Sequence, residues 1–529
     1  MTPNLKQKSS RRNFLKKTAL TGAGGVAAAA ACNVVSPCVV REEMVFDANQ
    51  SYWANALPAP NPPLAENIDA EVAIIGAGLC GLSTAYYLKK DGATKGRVVV
   101  LEAVRCGNGA SGRNGAMILT MTADRYMQWS GDSELDKRIY DLTAANICKL
   151  SELSRSLGID AEIEQNGALQ VCNTKADAAQ ARNYVQKAQA ARLPCEFWEK
   201  EKVVEALGTR AYEGAFFDPG SGQVHPGKLV TLFKVAAESA GVDIFEQTPV
   251  VHIEEGERIR IWTKDGRTVS AQSLVLATNS YSSKLGYLRR ATTPVFDYVG
   301  ITAPLSATAL ALAGWESRIP FNDCRTEVFY LGQTRDHRIH IGGGPVDYLF
   351  NNGLGQPHNA ETRYAALHGE LVRIFPALAT EPFALQWGGF VDMSLDESPA
   401  VGRMGNHDNI FYAIGFSGHG VNLTSIFGEI LSDLIHGNRA DWRWLPYLDR
   451  LPPYIPNEPF RWLGVQWRSA ATGSRTVERL HARLVSCRNA VFRRQAEIFI
   501  SSRSPTAAYE ITAKLGHESA QRVFQQIAF

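Results

Sequence analysis

Glu71-Val-Ala-Ile-Ile-Gly76-Ala-Gly78-Leu-Cys-Gly81 is an apolar run that breaks into three glycines, and Leu82-Ser-Thr-Ala-Tyr-Tyr-Leu88 continues it with a helical pattern. A second apolar run, Val98-Val-Val-Leu101, ends at Glu102, about 20 residues beyond Gly81. Strand, G-x-G-x-x-G turn, helix, second strand and acid stand in the order that a dinucleotide-binding unit requires. Gly76 permits the tight turn, Gly78 lets a pyrophosphate approach the backbone, and Gly81 lets helix and strand pack closely. Glu102 can accept hydrogen bonds from ribose hydroxyls, while the helix start turns free N–H groups and positive dipole toward the phosphates. A glycine cluster that only turns the chain is the alternative, and the ordered set of parts disfavours it.

A second junction of the same kind lies far downstream. The strand Ile410-Phe-Tyr-Ala-Ile414 enters Gly415-Phe-Ser417-Gly418-His419-Gly420, and a helical pattern follows from Val421 to Ile435. A nicotinamide dinucleotide needs one pyrophosphate cradle. An extended flavin dinucleotide can use the second to stabilise negative charge on its reduced ring. A helix start with no ligand remains the alternative for Gly415–Gly420.

Composition describes a large globular chain. At 529 residues it exceeds what one hydrophobic core usually serves, so two or more domains are expected. A net charge of +2 gives no sign of nucleic-acid binding. The nine cysteines are scattered and form no C-x-x-C pair, which argues against zinc or iron–sulfur sites and for thiols buried as small apolar groups.

Ser10-Arg11-Arg12-Asn13-Phe14-Leu15-Lys16, followed by an Ala/Gly-rich run from Thr18 to Ala31, resembles a twin-arginine export signal. That address implies the translocation machinery as a partner and a periplasmic location, or one on the outer side of the inner membrane. Ala29-Ala30-Ala31-Cys32 leaves two processing routes open: lipidation of Cys32, giving peripheral membrane attachment, or ordinary cleavage.

Periodicity outlines the rest. Helical patterns run from about Leu135 to Leu157, Ala176 to Ala190, Pro226 to Ala240 and Glu361 to Ile374. Strands are expected near Gly167–Cys172, Val242–Phe245, Val250–Glu254, Leu274–Ala277, Tyr298–Ala303, Val328–Leu331 and Arg338–Ile341. Phe460-Arg-Trp-Leu463 reads as a short amphipathic segment, and residues 470–529 are rich in arginine and serine.

These motifs carry a resemblance. Ser51-Tyr-Trp53, Gly109-Ala-Ser-Gly-Arg-Asn-Gly115, Val224-His-Pro226 and Gly415–Gly420 resemble the D-amino-acid oxidase, glycine oxidase and sarcosine oxidase family of flavoproteins, in its gamma-glutamylputrescine oxidoreductase-like branch. The resemblance implies a mixed α/β fold: a discontinuous Rossmann-like FAD-binding domain with an inserted substrate domain on a mixed β-sheet. The expected division is a signal and spacer over 1–50, FAD-binding parts over 51–125, 223–295 and 384–449, substrate-domain parts over 126–222 and 296–383, and an extension over 450–529. It further implies that Gly76, Gly78, Gly81 and Glu102 hold the ADP half, with Val250 near the adenine. Ala110, Ser111, Arg113 and Asn114 would lie along the pyrophosphate and ring, and Gly415, Ser417, Gly418, His419 and Gly420 along the ribityl and pyrimidine side.

Some relatives attach flavin through a cysteine before an Asp-Met-(Ser/Thr)-x-Asp segment. Here that segment is Asp392-Met-Ser-Leu-Asp396 and the matching position is near Gly389, so FAD is expected to be non-covalent. His340 or Arg338 falls where a cation would assist oxygen reduction, with a packed strand histidine as the alternative. Arg325, Tyr330 and Arg335 are candidates to anchor a substrate carboxylate.

The implied chemistry is oxidation of a C–N bond in an amine or amino acid by hydride transfer to flavin N5. The imine then hydrolyses, and electrons pass to oxygen or a quinone. A flavin dehydrogenase feeding a quinone, a non-catalytic flavoprotein sensor and a nicotinamide-linked dehydrogenase remain alternatives.

Overall fold

The computed structural model describes residues 51–120 and 132–471. The twin-arginine segment, Cys32 and the arginine-rich stretch from 472 onward lie outside the described residues.

Apolar runs buried on both faces make the first sheet. Its strands run in the order Ala400–Met404, Ile410–Ile414, Thr268–Leu276, Ile68–Ile75, Val98–Leu101, Asp243–Phe245, and all neighbours except the first pair are parallel. An antiparallel meander, Val250–Glu254 and Ile259–Thr263, joins it beside Thr268–Leu276. Sequence-distant stretches thus interleave, with the N-terminal strand at the centre. The helix Leu79–Lys89 shows no polar face, because it packs between the helices Pro226–Ser239 and Gly420–Ile435. Its Ser83 and Thr84 hydroxyls are satisfied by the Cys80 carbonyl at 3.0 and 2.7 Å.

The second sheet is mostly antiparallel, in the order Phe383–Met393, Thr293–Thr302, Ile339–Gly343, Phe329–Gln333, Phe321–Asp323, Ala168–Val171, Gly214–Asp218, Glu196–Glu199. A separate core of Trp198, Tyr212, Trp315, Phe321 and Phe375 lies under it. The fold is mixed α/β, as the motifs lead one to expect. Its boundaries differ from the sequence division at two places. The long strand Phe383–Met393 belongs to the second sheet, paired with Thr293–Thr302 throughout, so residues past 383 and before 296 are part of that sheet. The helix Ser133–Ser156 packs on Gly420–Ile435, with Ile139, Ile147 and Leu150 in the core that lies against the first sheet. Its Asn146 amide donates to Asn422 Oδ1 at 2.8 Å and to Ser425 Oγ at 2.7 Å. Among the described residues no helix is long and apolar enough to cross a membrane.

Candidate active site

The first glycine turn is built by close approach. Gly76 has φ +101°, and a Cβ there would sit 2.6 Å from the Ala277 carbonyl oxygen. A Cβ on Gly81 would sit 1.9 Å from Gly76 O, so Gly81 packs the helix onto the turn and stands behind the ligand space. Glu102 accepts from the Ala77 N–H at 2.8 Å and the Val104 N–H at 3.0 Å, which aims its carboxylate along the turn. Burial pushes its pKa up and these backbone donors pull against it. Ser111 Oγ accepts from the Leu79 N–H at 2.9 Å and so occupies one amide of the helix start.

The loop that follows is clamped from outside. Trp53 Nε1 donates to Asn114 O at 2.9 Å, Trp387 Nε1 to Arg113 O at 2.9 Å, and Ser51 Oγ to Gly112 O at 2.5 Å. Inside it, Arg113 donates to Asn108 O at 2.7 Å and Gly388 O at 3.0 Å and lies against Gly389. Asn114 ties the turn to itself through Ser111 O at 2.8 Å and the Ala116 N–H at 3.0 Å.

The second glycine junction is arranged around a carboxyl group. Asp392 Oδ2 accepts from the Gly415 N–H at 2.7 Å, and Asp392 O accepts from the Ser417 N–H at 3.2 Å. With its nitrogen turned toward the carboxylate, the Asn279 amide donates to Asp392 Oδ2 at 3.0 Å. Burial pushes Asp392 up to about 7, against the pull of backbone N–H groups that include those of Gly415 and Phe416. Positive φ at Gly415, Ser417 and Gly418 shapes the elbow. Its first amides are therefore occupied by Asp392, and Gly415 stands behind the ligand space.

One cavity of about 1110 Å³ joins the two junctions. Gly76, Gly78, Glu102, Ala110, Ser111, Arg113, Asn114, Val250, Ser417, Gly418, His419 and Gly420 all line it. The second sheet and the loop before Phe329 add further wall: Asp297, Asn322, Glu327, Tyr330 and Gly389. Single-ligand sites usually measure roughly 300–1,000 Å³, so this volume suits a dinucleotide with a second small molecule.

Residues 71–434 match the model of the DAO family, FAD dependent oxidoreductase. The chain belongs to that family. It is 29% identical over 388 residues to the probable oxidoreductase OrdL of Haemophilus influenzae, covering 71% of this chain and 85% of that one. It is 27% identical over 405 residues to the gamma-glutamylputrescine oxidoreductase of Escherichia coli, covering 73% and 89%. The crystal structure of glycine oxidase from Geobacillus kaustophilus superposes with a TM-score of 0.62 at 21% identity, over 73% of this chain and 100% of that one, which is a likeness of fold.

As a DAO-family oxidoreductase the chain uses FAD, and the glycine cradles, Glu102 and the Arg113 loop fit that group. The expected catalytic residues separate. Tyr330 faces the cavity, wedged so closely that a Cβ on Gly115 or Gly342 would meet its ring or hydroxyl at 2.2–2.3 Å. Its hydroxyl donates to Asp297 Oδ2 at 2.8 Å. Burial lifts Asp297 to about 6, held down in part by Tyr330 and by the Tyr298 and Gly343 N–H groups.

Arg325 stands outside the cavity, ion-paired to Asp323 and, at 2.5 Å, to Glu370. Arg335 is paired at 2.6–2.7 Å with Asp160 and Glu164, and Arg338 at 2.8 Å with Asp336. His340 is buried behind Trp53, ring centroids 5.4 Å apart, beside a void of about 20 Å³. Burial lowers its pKa to about 3, so it is neutral at pH 7 and supplies no cation. Sequence reasoning missed Asp297, Asp392 and Trp387. An acid inside the apolar run Pro294-Val-Phe-Asp-Tyr-Val-Gly was the available signal for the first.

Proposed function

We propose that this oxidoreductase oxidises the carbon beside nitrogen in a small amine or amino acid. The carrying observation is that the cavity joining both cradles extends to the Asp297–Tyr330 pair, which leaves a polar wall beyond the cofactor's share. The names of the E. coli and Geobacillus relatives, an oxidoreductase of gamma-glutamylputrescine and an oxidase of glycine, support the substrate class.

Bound FAD supplies a two-electron acceptor for the C–H beside the substrate nitrogen. The protein's part is to present that nitrogen with its lone pair free. An ammonium entering the cavity gives a proton to Asp297, whose pKa near 6 suits a base working close to neutrality. Tyr330 holds the Asp297 carboxylate in place through its hydroxyl. The apolar walls exclude water and favour the neutral amine. The imine leaves and hydrolyses in water to a carbonyl compound and an amine or ammonia. Oxygen or a quinone takes up the electrons.

FAD is held without a covalent link, since the position matching the attachment cysteine falls near Gly389, where no cysteine is present. The twin-arginine segment directs the folded, loaded enzyme to the periplasm, with lipidation of Cys32 as the route to membrane attachment.

The deciding experiment is anaerobic. Purified yellow holoenzyme is mixed with a panel of amines and amino acids, and bleaching of the flavin is followed before air or a quinone is admitted. At least one member of the panel should bleach it. Colour that survives the whole panel would overturn the reading. Acid precipitation should release all the flavin into the supernatant.

A further inference from the structure

The family match ends at residue 434, yet the chain returns beyond it to the cavity. Tyr454 and Ile455 line it, and so do Phe460, Arg461, Gly464 and Val465 at the start of the helix Phe460–Ala471. Positions 460, 461, 464 and 465 share one helical face, so the helix turns that face inward.

The segment is strapped at both sides of the rim. On the side of the first sheet, the Ile455 N–H donates to Arg290 O at 2.9 Å and Arg461 Nη2 to Arg289 O at 3.0 Å. On the side of the second, Glu458 accepts from the Tyr348 hydroxyl and, at 3.1 Å, from the Asn351 N–H. The other Glu458 oxygen accepts from the Trp462 N–H at 3.0 Å, so one carboxylate both caps the helix and latches it down.

The inward face is apolar. Arg461 adds mainly its stem, because its Nε and Nη2 are taken by the Pro456 and Arg289 carbonyls. Gly464, exposed at the mouth of the cavity, leaves an open notch in that face: a Cβ there would meet nothing within 4 Å.

We propose that the segment Tyr454–Val465 forms a binding subsite for a straight aliphatic tail carried by the substrate, with room for the tail left by Gly464. The subsite rests on the reading of the cavity as the amine-oxidising site, and its test is arranged so that the two can fail separately.

The first arm uses holoenzyme and no amine. Iodide quenching of FAD fluorescence is measured in the wild type, in the latch double variant Glu458→Gln/Tyr348→Phe and in Gly464→Leu. Loosening the latch should raise the quenching constant at least threefold, and filling the gap should lower it. Straight-chain alcohols from butanol to octanol are then added as tails without nitrogen. In the wild type, protection from iodide should tighten about fourfold per methylene, the value of burying one CH2. Gly464→Leu should flatten that gain for the longer alcohols. Gly369→Leu, at an exposed helix glycine also in open space and away from the cavity, should leave it intact.

The second arm repeats the series with primary amines and reads anaerobic flavin reduction. Quenching indifferent to both the latch and Gly464, or a chain-length gain that Gly464→Leu does not touch, overturns the subsite. A normal alcohol arm with no reduction by any amine upholds the subsite and overturns the substrate reading.

Discussion

Asp297 and Asp392 are both buried carboxyl groups on the cavity wall, and both titrate well above the ordinary carboxylate value. A raised acid pKa means that the folded protein holds the proton more tightly than the unfolded chain. Stability from these groups is therefore fully present below about pH 4 and is lost as pH climbs through about 6 for Asp297 and about 7 for Asp392. Asp392→Asn should remove the upper part of that slope, seen as a flatter plot of Tm against pH between 5 and 8.

Asp297→Asn should lower kcat/KM about 100-fold near neutrality. The deficit should shrink at high pH, where the substrate amine arrives already neutral. Tyr330→Phe removes a hydrogen bond that holds Asp297 down, so the acid limb of the pH profile should move upward. Glycine positions were legible in the sequence because steric demand leaves no other residue type at Gly76 or Gly81. Asp297 was not, because an acid in a strand reads as a solvent-facing residue until the opposite sheet edge is in view. Arg325 and Arg335 looked like anchors because sequence shows a cation and hides its partner.

At the scale of elements, the loop from Gly107 to Ala116 has little regular structure of its own and is held by indoles that arrive from elsewhere. Trp53→Phe keeps the ring and deletes the N–H, leaving Asn114 O without that donor. A buried carbonyl so stranded costs about 1–3 kcal/mol. The expected outcome is a Tm lower by several degrees and an FAD dissociation constant raised about tenfold, read by titrating apoprotein with the cofactor. Ser51-Tyr-Trp53 was legible as a signature and silent about its task, because no local pattern records a hydrogen bond spanning 61 residues.

Long periodic elements were readable. The helix Pro226–Ser239 and the strands Val250–Glu254 and Ile410–Ile414 fall where the pattern places them. Short strands such as Glu196–Glu199 and Phe321–Asp323 hold too few residues for alternation to register. The pairing of Phe383–Met393 with the second sheet was hidden because its glycines and exposed start resemble a connecting loop.

Over the whole molecule, the acid of one buried ion pair ties together stretches that no sequence window contains. Lys234 and Glu246, each 2% exposed, meet at 2.5 Å. Glu246 also accepts from the Asn61 N–H of the proline-rich linker and the Cys106 N–H, both at 2.6 Å. Lys234→Met strands a charge in the interior and should cost about 3–5 kcal/mol, read by denaturant unfolding. The double change Lys234→Met/Glu246→Leu should recover part of that loss.

The central place of Ile68–Ile75 in the first sheet has a further consequence for biogenesis. On the ribosome this strand emerges early, yet its neighbour Thr268–Leu276 comes some 200 residues later and the edge pair near 400–414 later still. For most of synthesis the nascent polypeptide carries a sticky half-sheet, with unsatisfied edges that invite misassembly. No product truncated before the helix Gly420–Ile435 can close the nucleotide cradle, so cofactor capture waits for that helix. A cell that makes this protein must shield it until the last strand is laid.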